Sequence, residues 1–402
     1  MAGDITERQK ISYLIPDMPE YYQLARFLQR TDKQHWYSNF GPLIKDLEHG
    51  ICAQFFPQAN NRIVTCSSGT AAIELAIKCL ELRPGARILV PSFTFPATII
   101  AILNCGYEPV FCDVSEKSWL LTAKNSSDIV SQCEVDAVLP VSTMGMPQNI
   151  QEWEHFYRDT GIQVVIDAAP AIEKQETSDH ISVCFSLHAT KLFGVGEGGF
   201  VVFPSESLAE KGRRLTNFGF EEGVIRDIGG NYKLSEYHGA VGLAQLERVG
   251  EIRERRGIVR AHYHLELEKL RGYVDFQQND DVSLGAEVVQ FHQNNIYSSC
   301  VLKLKYDDVA YTQHVVTALS SSNIQSRQWY QPSHCHPAFK AYQTVGHNDS
   351  DNLDVTQRLG SQLLSLPFHN YLSRDDVAFV CERLSGILVG DYRKMTSVLR
   401  RT

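Results

Sequence analysis

The sequence predicts an α/β protein: a large domain on a seven-stranded, mostly parallel sheet, followed by a smaller α+β domain. Three observations carry this. Short, β-branched apolar runs alternate with helix-like segments between Arg62 and Phe203, the pattern of a parallel sheet covered on both faces. After Ser235 the texture changes to one long helix, charged on one face. The 402 residues are enough for a large core and a second, smaller one.

Taken in order, residues 1–50 read as short helices and turns. "WYSNFGPLIKDLE" (Trp36–Glu48) turns at Gly41–Pro42 and continues as an amphipathic helix. The seven predicted strands are Arg62–Cys66, Arg87–Pro91, Pro109–Val114, Ala137–Val141, Gln163–Asp167, Ile181–Leu187 and Gly199–Phe203. Helices Ala71–Leu80 and Pro96–Cys105 separate the first three. Glu236–Leu270 is the long helix, with a domain boundary near Arg256. Beyond Tyr273, strand Ser298–Leu304 and helix Thr312–Ser322 suggest the smaller unit. The expected division is 1–50 as an N-terminal helical segment, 51–255 as the large domain and 256–402 as the small one.

Composition narrows the class. Apolar residues make up 43% and charged residues 21%, as in ordinary globular proteins, and no apolar run is long enough to span a membrane. A formal net charge of −9 argues against nucleic acid as a partner, since such proteins carry a basic face. The ten cysteines form no CxxC pair, and His334-Cys335-His336 lacks zinc-site spacing. Met1–Leu14 has no apolar core of leader length, so reduced thiols in a cytoplasm are expected.

"SLHATKLFGVGEGGFVVF" (Ser186–Phe203) asks why a hydroxyl, an imidazole and a lysine precede a glycine run and a strand. Ligands of open α/β sheets bind beyond the carboxyl ends of the strands. Four stretches end there. Ser67-Ser68-Gly69-Thr70 opens a helix, and a helix N-terminus suits phosphate; the alternative is an ordinary cap. Asp167 closes an apolar strand, where a carboxylate is costly unless paired: either a helix cap or the partner of a protonated ring nitrogen. Lys191, with Ser186 and His188, suits a lysine that loses its proton in a dry site and forms an imine; the alternatives are a solvated lysine and a structural histidine. The glycines from Gly194 to Gly199 precede a strand rather than a helix, which excludes a dinucleotide loop. In "PSFTFPAT" (Pro91–Thr98), Phe93 and Phe95 share a side if extended, but a turn at Pro96 would let one face the core while the other stacks on a planar ring; the alternative is that both are core. A phosphate cradle, an imine lysine, an acid for a ring nitrogen and an aromatic plate together describe a site for pyridoxal 5'-phosphate (PLP).

At this point the sequence resembles the DegT/StrS-type sugar aminotransferases, PLP enzymes of the aspartate-aminotransferase fold (fold type I). The resemblance runs from about Trp36 to Phe339. It rests on "NFGPLIKDLE", "SSGTAAIELA", "VPSFTFPATIIAILNCGYEPVFCDV", "PVSTMGMP", "IDAAPA", "SLHATKLFGVGEGGFVV", "NFGF" and "GGNYKLSEYHGAVGLAQLE", in that order. It implies Lys191 as the imine lysine and proton shuttle, and Asp167 as the partner of the ring nitrogen. Gly69, Thr70 and Ser186 would hold the phosphate, Phe95 would stack on the ring, and His188 would lie near the cofactor. Asn231 would reach the cofactor phosphate of a neighbouring subunit, so the resemblance implies a homodimer with shared sites.

Two positions depart from the pattern. Pro170 stands where the family often has Gln, and Ser142 where it usually has His; both bear on how the ring hydroxyl is held. "HATK" and "SRQWYQPSHCHPAF" (Ser326–Phe339) resemble a branch acting on nucleotide-linked 4-keto-6-deoxy sugars, with Arg327, Trp329 and Tyr330 as substrate contacts or as packing. The implied reaction moves an amine from glutamate or glutamine to a dTDP-4-keto-6-deoxyhexose. Lipopolysaccharide O-antigen sugars and secreted glycosides are both compatible destinations. The competing readings are a 3-keto-sugar aminotransferase, an amino-acid lyase and a non-catalytic ligand-sensing scaffold. A family dehydratase would carry histidine in place of Lys191.

Overall fold

The structure, a computed structural model, describes residues 9–278, 280, 296–346 and 352–399. They form two compact units. One comprises Pro16–Ile252 and Gln331–Gln357; the other holds the described residues of Met1–Ile15, Arg253–Tyr330 and Arg358–Thr402. The units part inside the long helix, at Ile252/Arg253. The expected succession of domains is interleaved in the fold: residues 16–50 and 331–357 join the large unit, and 9–15 join the small one.

In the large unit the strands are β1 (Ile63–Cys66), β2 (Arg87–Pro91), β3 (Glu108–Cys112), β4 (Ala137–Val138), β5 (Gln163–Asp167), β6 (Ser182–Ser186) and β7 (Gly199–Val202). The hairpin β8 (Phe220–Glu221) and β9 (Val224–Ile225) follows as a separate two-stranded sheet. The main sheet has eight strands rather than seven. It gains Thr344–Val345, the thirteenth strand among the described residues, which pairs in parallel with β3 at its edge. Two residues are too few to show a period in the sequence. Only β7 runs antiparallel to its neighbours, β1 and β6. The expected strand Ala137–Val141 shortens to two residues because Pro140 has no N–H for the ladder.

The helices of this unit are α1 (Tyr21–Gln34), α2 (Pro42–Phe55), α3 (Gly69–Cys79), α4 (Pro96–Asn104), α5 (Ala123–Val130), α6 (Ile150–Thr160), α7 (Glu206–Thr216) and the first part of α8 (Glu236–Leu267). Side chains alternate across a strand, and the strands sort their residues accordingly. Leu89, Val164, Ile166, Val183, Phe185, Phe200 and Val202 pack with Leu47, Ile51, Ile129, Trp153 and Phe156 from α2, α5 and α6. Ile88, Val90, Val165, Cys184 and Val201 pack on the other face with Ala72, Leu75, Ile99, Ile102 and Leu215 from α3, α4 and α7. Each fully buried aliphatic or Phe side chain contributes about 1.5–3 kcal/mol, so both faces must stay covered.

The small unit has a four-stranded antiparallel sheet. Its strands are β10 (Val274–Asp275), β11 (Cys300–Leu304), β12 (Arg327–Gln328) and β14 (Leu363–Leu366), in the order β10-β11-β14-β12. Val259, Tyr263 and Leu267 of α8 pack on it with α9 (Val309–Ser320) and α11 (Arg374–Leu399). Between these two, α10 (Asp354–Gln362) precedes β14. All ten cysteines are free thiols. Among the described residues no helix is long and apolar enough to cross a membrane, and no His/Cys/Asp/Glu group could hold a metal ion.

Candidate active site

β2, β5 and β6 end at the same edge of the sheet. β1 ends there too, because β7 runs antiparallel to both β1 and β6. Gly199, the first residue of β7, therefore lies between the last residues of β1 and β6, opposite Cys66 and Ser186. These four strand ends and the loops after them carry all the predicted cofactor residues except Asn231.

Asp167 closes β5 and is 4% exposed. Its Oδ2 accepts from the Thr98 hydroxyl at 2.8 Å, and its Oδ1 accepts from the Ala169 N–H at 3.1 Å. Burial pushes its carboxyl up; the Thr98 and Ala169 donors and the charge of Lys191 pull it back toward ionisation. Thr98 is fully buried on α4, and its hydroxyl meets that of Thr94 at 2.9 Å. The two phenylalanines of this loop divide as expected. Phe93 is buried in the protein interior, whereas Phe95, the N-cap of α4, is 58% exposed. Phe95 stands three residues, less than one helical turn, before Thr98, the donor to the buried acid.

Lys191 is half-buried on a compact loop between β6 and β7. Backbone bonds close this loop: Leu187 N–H to Gly198 O, Ala189 N–H to Gly196 O, Val195 N–H to Leu187 O and Lys191 N–H to His188 O, all within 2.8–2.9 Å. The glycine run has mechanical reasons. A Cβ on Gly194 would lie 2.9 Å from Ala189 Cα and His188 O, and Gly196 sits at φ +100. The His188 ring accepts the Thr190 N–H at Nδ1 (3.2 Å), so its other nitrogen carries the proton and faces Glu197 at 3.6 Å. Gln245 of α8, fully buried, donates to Gly194 O at 3.1 Å and ties the loop to the helix.

The predicted phosphate cradle lies where α3 begins. Ser68 caps the helix by accepting from the Ala71 N–H, and the Ser67 N–H donates to Tyr232 O. A Cβ on Gly69 would stand 2.9 Å from the Cβ and 3.2 Å from the Oγ of Ser186, and one on Gly199 would stand 2.4 Å from Ser68 O. Glycine at both places brings the helix N-terminus, Thr70 and the Ser186 hydroxyl together, and free N–H groups there favour an anion. Asn231 is exposed and forms a β-bridge with Asn217 beside the hairpin. These residues fit the phosphate, ring nitrogen and ring face of PLP.

The structure does not place every predicted residue in this unit. Arg327, Trp329 and Tyr330 belong to the small unit, where Arg327 lies over the Tyr13 ring and Trp329 packs edge-on against Tyr330. The two departures offer no donor to a ring hydroxyl. Pro170 has none, and the buried Ser142 hydroxyl is committed to Gln175 Oε1 at 2.8 Å. Thr98, Thr94 and Gln245 were not singled out from the sequence. A threonine in the first turn of a helix gives no signal distinct from helix-start chemistry.

The sequence pattern of the DegT/DnrJ/EryC1/StrS aminotransferase family matches residues 22–385. The chain is 26% identical over 383 residues to dTDP-4-amino-4,6-dideoxy-D-glucose transaminase of Shigella dysenteriae, covering 92% of this chain and 97% of that one. It is 26% identical over 362 residues to GDP-perosamine synthase of Caulobacter vibrioides, covering 88% and 92%. The crystal structure of DesI in the presence of its TDP-sugar product superposes with a TM-score of 0.80 at 25% identity, covering 98% of this chain and 96% of that one. The strand-end lysine, acid and cradle thus stand in a chain that belongs to the DegT/DnrJ/EryC1/StrS family of PLP-dependent aminotransferases.

Proposed function

We propose that this aminotransferase moves an amino group from glutamate or glutamine to a nucleotide-linked keto sugar, at C4 of a dTDP-4-keto-6-deoxyhexose, to give a dTDP-4-amino-4,6-dideoxyhexose. One observation carries the chemistry: Asp167, the Lys191 loop and the Gly69/Ser186 cradle converge at one sheet edge. The sugar is supported by the names of the relatives, one a transaminase of a dTDP-linked amino sugar and one a structure holding a TDP-sugar product. A GDP-linked sugar is the second reading, favoured by the perosamine synthase relative.

When bound, PLP supplies a protonated ring that withdraws electrons from the carbon bearing the transferred nitrogen. The chain does the rest. Asp167, ionised, holds the ring proton in place. The Lys191 amine anchors the cofactor covalently and, once released, carries a proton between carbon atoms as general base and acid. Gly69, Thr70 and Ser186 hold the phosphate, and Phe95 covers the ring and excludes water. Asn231 completes the phosphate site of a second subunit in a homodimer, and Arg327, Trp329 and Tyr330 contact the sugar substrate. The donor leaves as its keto acid, and the sugar carbonyl oxygen leaves as water.

The test is transfer of ¹⁵N. The PLP-loaded protein is incubated with amino-labelled glutamate or glutamine and dTDP-, GDP- or UDP-linked keto sugars, and products are read by mass spectrometry beside Lys191→Ala. Labelled dTDP-4-amino sugar from the wild type alone is expected. Label in a 3-amino sugar, or none in a protein that binds PLP, overturns the reading.

A further inference from the structure

Asp167 is held by two threonines of the Pro91–Thr98 stretch to which the cofactor motifs assign no role. Its neighbour Thr98 has one proton to give, and an ionised carboxylate can only accept. The 2.8 Å contact therefore fixes the Thr98 hydroxyl as donor to Oδ2. With its proton spent, Thr98 can only accept from Thr94, at 2.9 Å. The other acceptor within reach of Thr94, the carbonyl of Phe95, is at 3.4 Å. Both threonines are buried, so no water competes for these bonds. The direction of the chain is set: Thr94 to Thr98 to Asp167.

The start of the chain is also fixed from outside its own loop. The Ser333 N–H donates to Ser92 O at 2.9 Å, and the Ser333 hydroxyl lies 3.5 Å from Thr94 O. The Ser92 hydroxyl accepts the His334 N–H at 3.1 Å and lies 2.6 Å from His334 Nδ1. Segment 331–339 therefore clamps the stretch Ser92–Phe95 that carries Thr94 and the exposed Phe95.

We propose that Thr98, supported by Thr94, is a positioning residue that keeps the Asp167 carboxylate ionised and aimed at the ring nitrogen of PLP. This rests on the reading of Asp167 as the partner of that nitrogen. The carboxylate has about four acceptor positions. Thr98 and Ala169 occupy one on each oxygen, leaving the rest for a single N–H partner. The groups facing the carboxylate are otherwise Lys191, whose charge favours ionisation, and Cys184, whose thiol burial keeps neutral. Without the Thr98 hydroxyl, the buried carboxyl loses a donor that favours its charged form, and the ring nitrogen loses a charged partner.

The experiment compares the affinity of the full-length apoprotein for PLP and for 1-deaza-PLP, which keeps the aldehyde, phosphate and ring face but has carbon in place of the ring nitrogen. Thr98→Val keeps the shape and removes the hydroxyl. It is expected to weaken PLP roughly 10-fold or more while leaving the deaza analogue within about twofold, as loss of a bond to a charged group requires. Thr98→Ser is expected to restore PLP affinity to within about threefold. Thr94→Val is expected to show the same selectivity at a few-fold, and it carries the test if Thr98→Val does not fold. Equal weakening of both ligands, or of neither, overturns the relay and leaves Thr98 a packing residue. If Asp167→Asn itself shows no selective loss of PLP, the reading of Asp167 has failed, and the relay with it.

Discussion

Two loops reach Asp167, and they are held in opposite ways. The loop after β6, with Lys191, is closed by its own backbone over a few residues, and glycines make room for the closure. The loop after β2, with Phe95, is held by side-chain hydroxyls and by a segment some 240 residues further along the chain. The first is a local device, in which almost any change of backbone is felt at once. The second is assembled from distant parts and depends on individual hydrogen bonds. On the proposed reading, the lysine that forms a covalent bond has the stiffer mounting, and the aromatic that closes over the ring sits on the softer one.

That contrast breaks first at Gly194. Gly194→Val places branched carbons against the backbone of His188 and Ala189 and is expected to cost about 3 kcal/mol, with loss of PLP binding, read by thermal melts and cofactor absorbance. Gln245→Ala is next. It leaves the Gly194 carbonyl with a lost donor and a void in a fully buried site, for about 2 kcal/mol in chemical denaturation. On the softer loop, Ser92→Ala removes one partner of His334 and is expected to cost about 1 kcal/mol. If Ser92→Ala proves as damaging as Gly194→Val, the two mountings do not differ as described.

The smallest effect sharpens the comparison through pH. Burial raises the Asp167 carboxyl above its ordinary value, so the native apoprotein holds that proton more tightly than the unfolded chain. The group contributes stability while protonated, and that contribution is lost as pH rises from about 4 through the raised native value. Asp167→Asn has no such proton to lose. The melting temperature of its apoprotein is expected to gain on the wild type as pH rises through that window, while PLP affinity falls. A constant difference across the window would show that the buried charge carries no cost in the free protein.

His334 shows the reverse. Burial lowers its ring below the ordinary histidine value, so its contribution is present above about 6.5 and is lost as pH falls through the native value. His334→Gln is expected to flatten the acid limb of the stability profile between those values.

The same contrast explains what could be read from the sequence. Asp167, Lys191 and the glycine run were legible because each is tied to the end of a strand, and a strand end is visible as a change of period. The helix start at Gly69 was legible for the same reason. Alternation alone would put Phe93 and Phe95 on one side of a strand; their split followed from the turn that Pro96 makes plausible. Thr98, Thr94 and Gln245 were not legible, because a buried donor looks like any other threonine or glutamine until the chain brings its acceptor near. The division of the chain misled for a related reason. Residues 331–357 follow small-unit sequence but fold with the large unit, and the two-residue strand that ties them there leaves no periodic trace. Arg327, Trp329 and Tyr330 read as part of one motif with His334, yet the units part between Tyr330 and Gln331.

The parallel pairing of Thr344 with Phe111 also has a consequence for biosynthesis. The flank of the sheet at β3 is formed by residues made early, but its covering strand is made more than 200 residues later. At a synthesis rate of roughly 5–20 residues per second, that flank stays uncovered for about ten seconds or more on the ribosome. An unpaired edge is a template for other chains. Closing it costs a long loop, though the entropy grows only slowly with loop length. Nascent chains stalled before residue 344 should therefore engage chaperones or self-associate more than chains stalled just after Gln357.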